Sequence, residues 1–213
     1  MLFRSYRAKF VFYLQDLYPD VGVALGRIKH PLLVKLLEAS TRRILFAADE
    51  VVVLGEDMRR RVLGKGYPHA DRIHVIPNWV DTTQVQPCAE PNPFRERHQL
   101  DGRFVVMFSG NLGLSQGLER VIDVAAELAG DERIRFVFVG EGAAKADVMA
   151  KARALGLNNV LFLPYQPKGD LSASLSGADV HLVPLARGLA GLIVPSKVYG
   201  IMAAQRSDRK SVV

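Results

Sequence analysis

Apolar residues in this chain fall into short, nearly unbroken runs, and helically spaced stretches separate them. Residues 10–14 (FVFYL), 50–54 (EVVVL), 72–77 (RIHVIP), 105–108 (VVMF), 134–139 (IRFVFV), 160–163 (VLFL) and 179–185 (DVHLVPL) read as strands, and 105–108 shows no polar alternation at all. Such runs suit strands buried on both faces of a parallel sheet. Between them the apolar period lengthens to three or four. In the stretch after Ser115, for example, Leu118, Val121, Ile122, Ala125, Leu128 and Ala129 share one helical face, while Glu119, Arg120, Asp123 and Glu127 lie off it. Further helices are predicted from Pro31, over 56–63 up to Gly64, over 145–155 and 170–175, and from Pro195 or Ser196 through Tyr199 and Met202.

Strand and helix alternate throughout, which predicts an α/β chain of two Rossmann-like units, both incomplete. Residues 82–102 break the pattern with Pro87, Pro91 and Pro93 among polar neighbours, and read as a linker. The expected organisation is therefore a first unit over 1–81, a linker over 82–102 and a second unit over 103–213. The pattern is lost again at 205–213 (QRSDRKSVV), which reads as a short foreign tail.

Composition narrows the classes. Of 213 residues 49% are hydrophobic and 23% charged, an ordinary globular balance that argues against disorder. Cys88 is the single cysteine, so no internal disulfide forms and a cytoplasmic location is expected. No stretch reaches the length of a membrane-spanning helix, and the first residues lack a signal peptide's long apolar core. The net charge of +6 is compatible with nucleic acid, an anionic membrane or a phosphorylated substrate. Part of it lies in 22–48, where Arg27, Lys29, Lys35, Arg42 and Arg43 interleave with Leu32, Leu33, Leu36, Leu37, Ile44 and Phe46. That segment is either a helix lying on an anionic membrane surface or a core-facing helix with a solvated basic face. Arg59, Arg60 and Arg61 read as an exposed face, not a nucleic-acid clamp, and Trp79 as a packing anchor.

Candidate chemistry gathers at the carboxyl ends of strands. The run 104–109 leads into Gly110, Gly113 and Gly117, the run 134–139 into Gly140-Glu141-Gly142, and the run 179–185 into a loop with Gly188 and Gly191. Ligands of open α/β sheets bind outside those ends, where anions also meet free helix N–H groups. Glycine loops at these ends suggest a nucleotide or phosphate site. The spacing Gly110, Gly113, Gly117 is not G-x-G-x-x-G, which weakens a nicotinamide or flavin reading even though Glu141 stands about where a ribose-binding acid would. There is no P-loop, no G-x-S-x-G elbow and no histidine pair at metal-ligand spacing, and His181, inside an apolar strand, reads as a satisfied core histidine. Lys197, near the start of the last helix, is placed to neutralise a diphosphate or else is a solvated helix lysine. Asp16 follows the first strand and either belongs to a site or, with Asp20, caps the following turn.

Asp16-Leu-Tyr-Pro, Ile76-Pro-Asn78, Phe108-Ser-Gly-Asn-Leu-Gly with Gln116-Gly-Leu, Val139-Gly-Glu-Gly142 and Val194-Pro-Ser-Lys-Val-Tyr-Gly200 together resemble the family-4 glycosyltransferases of the GT-B fold. The likeness is to the WbuB-like and colanic-acid-type enzymes of bacterial surface polysaccharide synthesis, and it extends to Ala204. It implies a retaining, metal-independent transferase without a cofactor, taking a sugar from a nucleotide diphosphate sugar to a lipid-linked or saccharide acceptor at the inner membrane face. The donor site it implies comprises Gly110, Asn111, Gly113, Gln116, Glu141, Gly142, Gly191, Ser196 and Lys197.

Many relatives carry Arg and Lys where this chain has Asn111 and Gln116, which shifts the expected phosphate contact toward backbone N–H groups and Lys197. Asp16 is a weak catalytic candidate, beside Gln15 at the place of the relatives' histidine, and Gly200 replaces a ribose-binding glutamate. The resemblance further implies a fragment without activity of its own. Two other classes stay open: an NAD-dependent Rossmann oxidoreductase, and a non-catalytic basic membrane-surface module built on 22–48.

Overall fold

The computed structural model describes residues 8–204 and the backbone of 207–212. The chain divides into two compact units. One holds the described residues up to Asn78 together with Arg187–Val194, and the other holds Trp79–Ala186 and the residues from Pro195 onward.

The first unit is built on a parallel sheet of β1 (Val11–Leu14), β2 (Glu50–Val53) and β3 (Ile73–Val75) in the order β1-β2-β3. Its helices are α1 (Asp20–Ala24), α2 (Pro31–Ala47) and α3 (Glu56–Gly64). Leu14, Leu17, Leu45, Val51, Val53, Met58 and Val62 are all buried, so the apolar runs and one face of α3 supply the core. α2 gives very little to it. Of its seventeen residues only Leu45 is buried, and Leu32, Leu33, Leu36, Ile44 and Phe46 are exposed. The core-facing expectation for this helix therefore fails over most of its length. Asp16 and Asp20 do not act as turn caps: α1 has no side-chain cap, and Asp20 pairs with Lys65 at 2.7 Å.

The second unit is a five-stranded parallel sheet, β4 (Phe104–Ser109), β5 (Ile134–Val139), β6 (Val160–Leu163), β7 (Val180–Leu185) and β8 (Ser207–Val212), in the order β6-β5-β4-β7-β8. Its helices are α4 (Pro93–Arg97), α5 (Glu119–Glu127), α6 (Lys145–Ala154), α7 (Leu171–Ser176) and α8 (Lys197–Ala203). The strands explain their own composition. Phe108, Phe136 and Phe138 pack with Leu118, Ile122 and Val148 in one apolar cluster, while Val105, Met107, Val137 and Val139 pack with Phe94 and Leu100 in another. Successive residues of β4 and β5 thus enter cores on opposite faces, which is why neither strand shows polar alternation. His181 is fully buried with Nε2 at 2.8 Å from the Leu175 carbonyl oxygen, as a core histidine should be.

Three expectations change. Residues 82–102 are packed into the second unit rather than linking two units. Asn92 caps α4, accepting from the N–H groups of Phe94 and Arg95, with Pro93 in the first turn. Buried Arg95 donates to the carbonyl oxygens of Gly177, Leu100 and Arg103 and to Asp179, whose Oδ2 also accepts from Val105 N. The presumed tail contains β8, paired in parallel with β7 at the sheet edge. Trp79 is 75% exposed and anchors nothing.

Candidate functional site

In the second unit the chain runs outward from β4 to β5 to β6, then returns to lay β7 on the other side of β4. Connections diverge at such a switch point, and the space beyond the carboxyl ends of the two strands becomes a crevice. The loops that leave β4 and β5 meet there. Gly110 N donates to Val139 O at 2.9 Å, Leu112 N to Glu141 O at 2.8 Å and Ala144 N to Leu112 O at 2.9 Å. Ala186 N, just past β7, donates to Ser115 O at 2.8 Å and ties the third strand end to the same loop.

This seam dictates the second glycine pair. Gly140 and Gly142 have φ of +137° and +156°, and a Cβ on Gly140 would overlap Gly110 O, one on Gly142 the carbonyl of Leu112. No side chain fits at either place, and the backbone conformation itself favours glycine. Gly113 has a different reason. Its missing Cβ would lie 3.0 Å from both Asn111 Nδ2 and Gln116 Oε1, so the glycine leaves room for two amides. Gln116 Oε1 is buried without a hydrogen-bond donor among the described residues.

Lys197, the first residue of α8, extends to the start of this loop. Its Nζ sits 3.5 Å from the centroid of the Phe108 ring, and a Cβ on Gly110 would be 3.2 Å from it. The nitrogen is shielded from solvent and has no acceptor among the described residues, and burial pushes its pKa down to about 7. Ring contact offsets only part of the lost hydration. An ammonium held without an oxygen partner beside a glycine backbone is arranged to receive an anion.

Glu141 is exposed at the end of β5, with Oε1 2.6 Å from Lys145 Nζ, which also reaches Gly140 O at 3.0 Å. Lys145 escaped sequence reasoning, although its i,i+4 spacing from Glu141 was a usable signal. So did Tyr165, just past β6, whose hydroxyl lies 3.4 Å from Glu141 O. Ser196 is exposed immediately before α8.

The second unit therefore contains Gly110, Asn111, Gly113, Gln116, Glu141, Gly142, Ser196 and Lys197. Gly191 belongs to the other unit. There φ is +74°, and the neighbouring Ala190 carbonyl accepts from Arg61 Nη2 at 2.8 Å, so Arg61 is more than a solvated face. Asp16 lies in that unit too, bridged through its backbone to Ile193, and burial raises its pKa. Among the described residues no group of three His, Cys, Asp or Glu is placed to hold a metal ion.

Units built on parallel sheets, the second with a switch point lined by glycine loops, are those of the GT-B fold. The chain belongs to the family-4 and group-1 glycosyltransferases: residues 1–84 match the model described as Glycosyltransferase Family 4, and residues 92–195 that described as Glycosyl transferases group 1. It is 34% identical over 202 residues to the putative colanic acid biosynthesis glycosyl transferase WcaI of Escherichia coli (strain K12), covering 92% of this chain and 49% of the relative. It is 32% identical over 200 residues to the probable glycosyltransferase WbjE of Pseudomonas aeruginosa, covering 93% and 50%. The chain thus spans about half the length of these curated relatives.

Among solved structures, HepE of Anabaena in complex with UDP-glucose matches with a TM-score of 0.74 at 16% identity, over 98% of this chain and 54% of that one. WaaG, a glycosyltransferase involved in lipopolysaccharide biosynthesis, matches with a TM-score of 0.72 at 16% identity, over 98% and 61%. Family membership replaces the oxidoreductase reading.

Proposed function

We propose that the chain serves a glycosyltransferase that moves a sugar from a nucleotide diphosphate sugar to a lipid-linked or saccharide acceptor, in the building of a bacterial surface polysaccharide. One observation carries the donor assignment: Lys197 Nζ is buried, lacks an acceptor among the described residues, and stands beside Gly110 at the switch point. A diphosphate there supplies the missing oxygens. The ammonium then opposes the charge that grows on the leaving phosphate as the glycosidic bond breaks, in a site where a preorganised charge counts for more than in water. The names of relatives agree with this reading: WcaI is named for colanic acid synthesis, and HepE is described with UDP-glucose bound.

The retaining, metal-independent course implied by the family resemblance belongs to the proposal. Transfer assayed in the presence of a chelator, with the anomeric configuration of the product read by NMR, tests both. The donor assignment is tested by thermal unfolding. Uridine diphosphate and inorganic pyrophosphate should raise the midpoint of the wild type and leave Lys197→Met unmoved. Absence of any shift in the wild type with every nucleoside diphosphate tried would contradict it.

The membrane association belongs here as well, and α2 supports it. Leu32, Leu33 and Leu36 are exposed in its first two turns, next to Lys29 and Lys35. Apolar side chains flanked by cations suit the boundary of an anionic bilayer, where lysine stems extend along acyl chains. No helix among the described residues is long and apolar enough to cross a membrane. Co-sedimentation with vesicles containing anionic lipid, absent with neutral vesicles, is the expected result.

A further inference from the structure

We infer that Arg61 is a positioning residue for Lys197, acting through the segment Arg187–Val194, which the first unit grips just before the lysine's helix begins. The inference rests on the donor reading above and adds to it what holds the lysine in place. Both ends of the connection that contains this segment belong to the second unit: β7 ends at Leu185 and α8 begins at Lys197. A strand and the helix after it are usually joined by about two to six residues. This connection runs over residues 186–196, and its middle belongs to the other unit.

The middle is fixed at several points. Arg61 Nη2, on α3, donates to Ala190 O at 2.8 Å. Leu17 N donates to Leu192 O at 3.0 Å, and Asp16 forms an antiparallel bridge with Ile193. Leu189 and Leu192 are buried. At Gly191 φ is +74°, and a Cβ would lie 3.0 Å from both Arg61 Nε and Asp57 Cβ, so α3 lies against bare backbone there. Arg61 is the exposed member of this set, and it can be altered without touching a core.

The grips alternate along the chain. Ala186 N is tied to Ser115 O in the second unit, Leu189 to Ile193 are held by the first, and Lys197 belongs to the second again. Gly188, with φ of +84° and open space around it, separates the first two grips and lets the backbone turn. Between the last two stand Val194, Pro195 and Ser196. Pro195 fixes its own φ and restricts Val194 to extended backbone, so the lead-in to α8 is short and stiff. Displacement of Ala190 and Gly191 therefore carries to the head of α8, where Lys197 Nζ depends on its place beside Gly110 and the Phe108 ring.

The test combines readouts without and with a ligand. Hydrogen exchange of the 213-residue chain reports the protection of residues 187–194. NMR of the lysine-labelled chain reports the titration of Lys197, assigned by its loss in Lys197→Met. Arg61→Met should speed exchange in 187–194 and move that titration up from about 7 toward 10.5, with the thermal midpoint little changed. It should also weaken inorganic pyrophosphate by about fivefold or more in calorimetry at pH 6, where the nitrogen is mostly protonated in both proteins. Arg61→Lys, which keeps a donor of similar reach, should retain all three wild-type values. Pro195→Gly should leave 187–194 protected and reproduce the changes in titration and affinity. Unchanged exchange in Arg61→Met, or faster exchange with the Lys197 titration unmoved, overturns the inference and spares the donor reading. A shifted titration beside a wild type that binds neither pyrophosphate nor any nucleoside diphosphate overturns the donor reading and upholds the positioning of Lys197 by Arg61.

Discussion

Replacing Lys197 by methionine removes a buried charge and keeps the shape of the side chain, so it isolates the cost of holding an ammonium in the crevice. Burial lowers the lysine from 10.5 to about 7, equivalent to on the order of 5 kcal/mol of lost solvation. Relaxation around the group and the Phe108 ring reduce what an equilibrium measurement would see, and about half of this is the expected effect. The sign follows from proton counts. Between pH 7 and 10.5 the unfolded chain holds a proton on Lys197 that the folded chain does not, so wild-type stability rises with pH through that window, by at most about 1.4 kcal/mol per pH unit.

Lys197→Met has no such group. It should be more stable than the wild type by about 2–3 kcal/mol at pH 7, with the difference shrinking toward pH 10. Urea denaturation at half-unit pH intervals, with no nucleotide present, measures it. Wild type and variant with parallel stability curves across the window would refute the claim that this nitrogen is buried without a partner.

Other expectations are independent of that one. Arg95→Met should destabilise the second unit by about 3–5 kcal/mol, since it removes a buried guanidinium that donates to Asp179 and to three carbonyl oxygens; chemical denaturation followed by circular dichroism checks this, and a near-neutral result would contradict a structural role for 82–102 in that unit. Gly140→Ala should cost at least about 2 kcal/mol and abolish nucleotide binding, because its Cβ meets Gly110 O; the loss of thermal stability is the readout. Lys35→Gln should weaken binding to anionic vesicles by about 1 kcal/mol, roughly fivefold, and Leu36→Glu by more; flotation with graded lipid charge would show either.

What the sequence made legible was whatever depends on burial period. Val105 to Phe108 and Phe136 to Val139 are apolar at every position because both sheet faces are covered, and the unbroken runs reported that directly. Loops that touch through their backbones left their mark as Gly140 and Gly142, and Lys197 was visible by its place at the head of a helix. The Pro-rich stretch has the composition of a linker but carries a helix start. Asn92-Pro93 is an N-cap followed by a first-turn proline, which starts a helix. β8 was hidden for another reason: an edge strand needs no apolar run, and Ser-Asp-Arg-Lys is the kind of sequence that protects an edge. Trp79 and the outward Leu32, Leu33 and Leu36 show where amphipathic patterning stops informing, since apolar spacing does not say what covers a face. Tyr165 and Lys145 were unreadable because their meaning comes from strand order, which brings the ends of β5 and β6 side by side.

The central claim is that the buried Lys197 nitrogen awaits a diphosphate, and binding must then return its proton. At pH 8 most of the free protein carries Lys197 neutral, given a pKa of about 7, and an anion at the nitrogen restores the charged form. Titrating UDP into the chain at pH 8 in two buffers of different ionisation enthalpy counts the protons taken up. Uptake approaching one proton per nucleotide, abolished in Lys197→Met, is the predicted result, whereas binding without proton uptake, or no binding, would contradict the account.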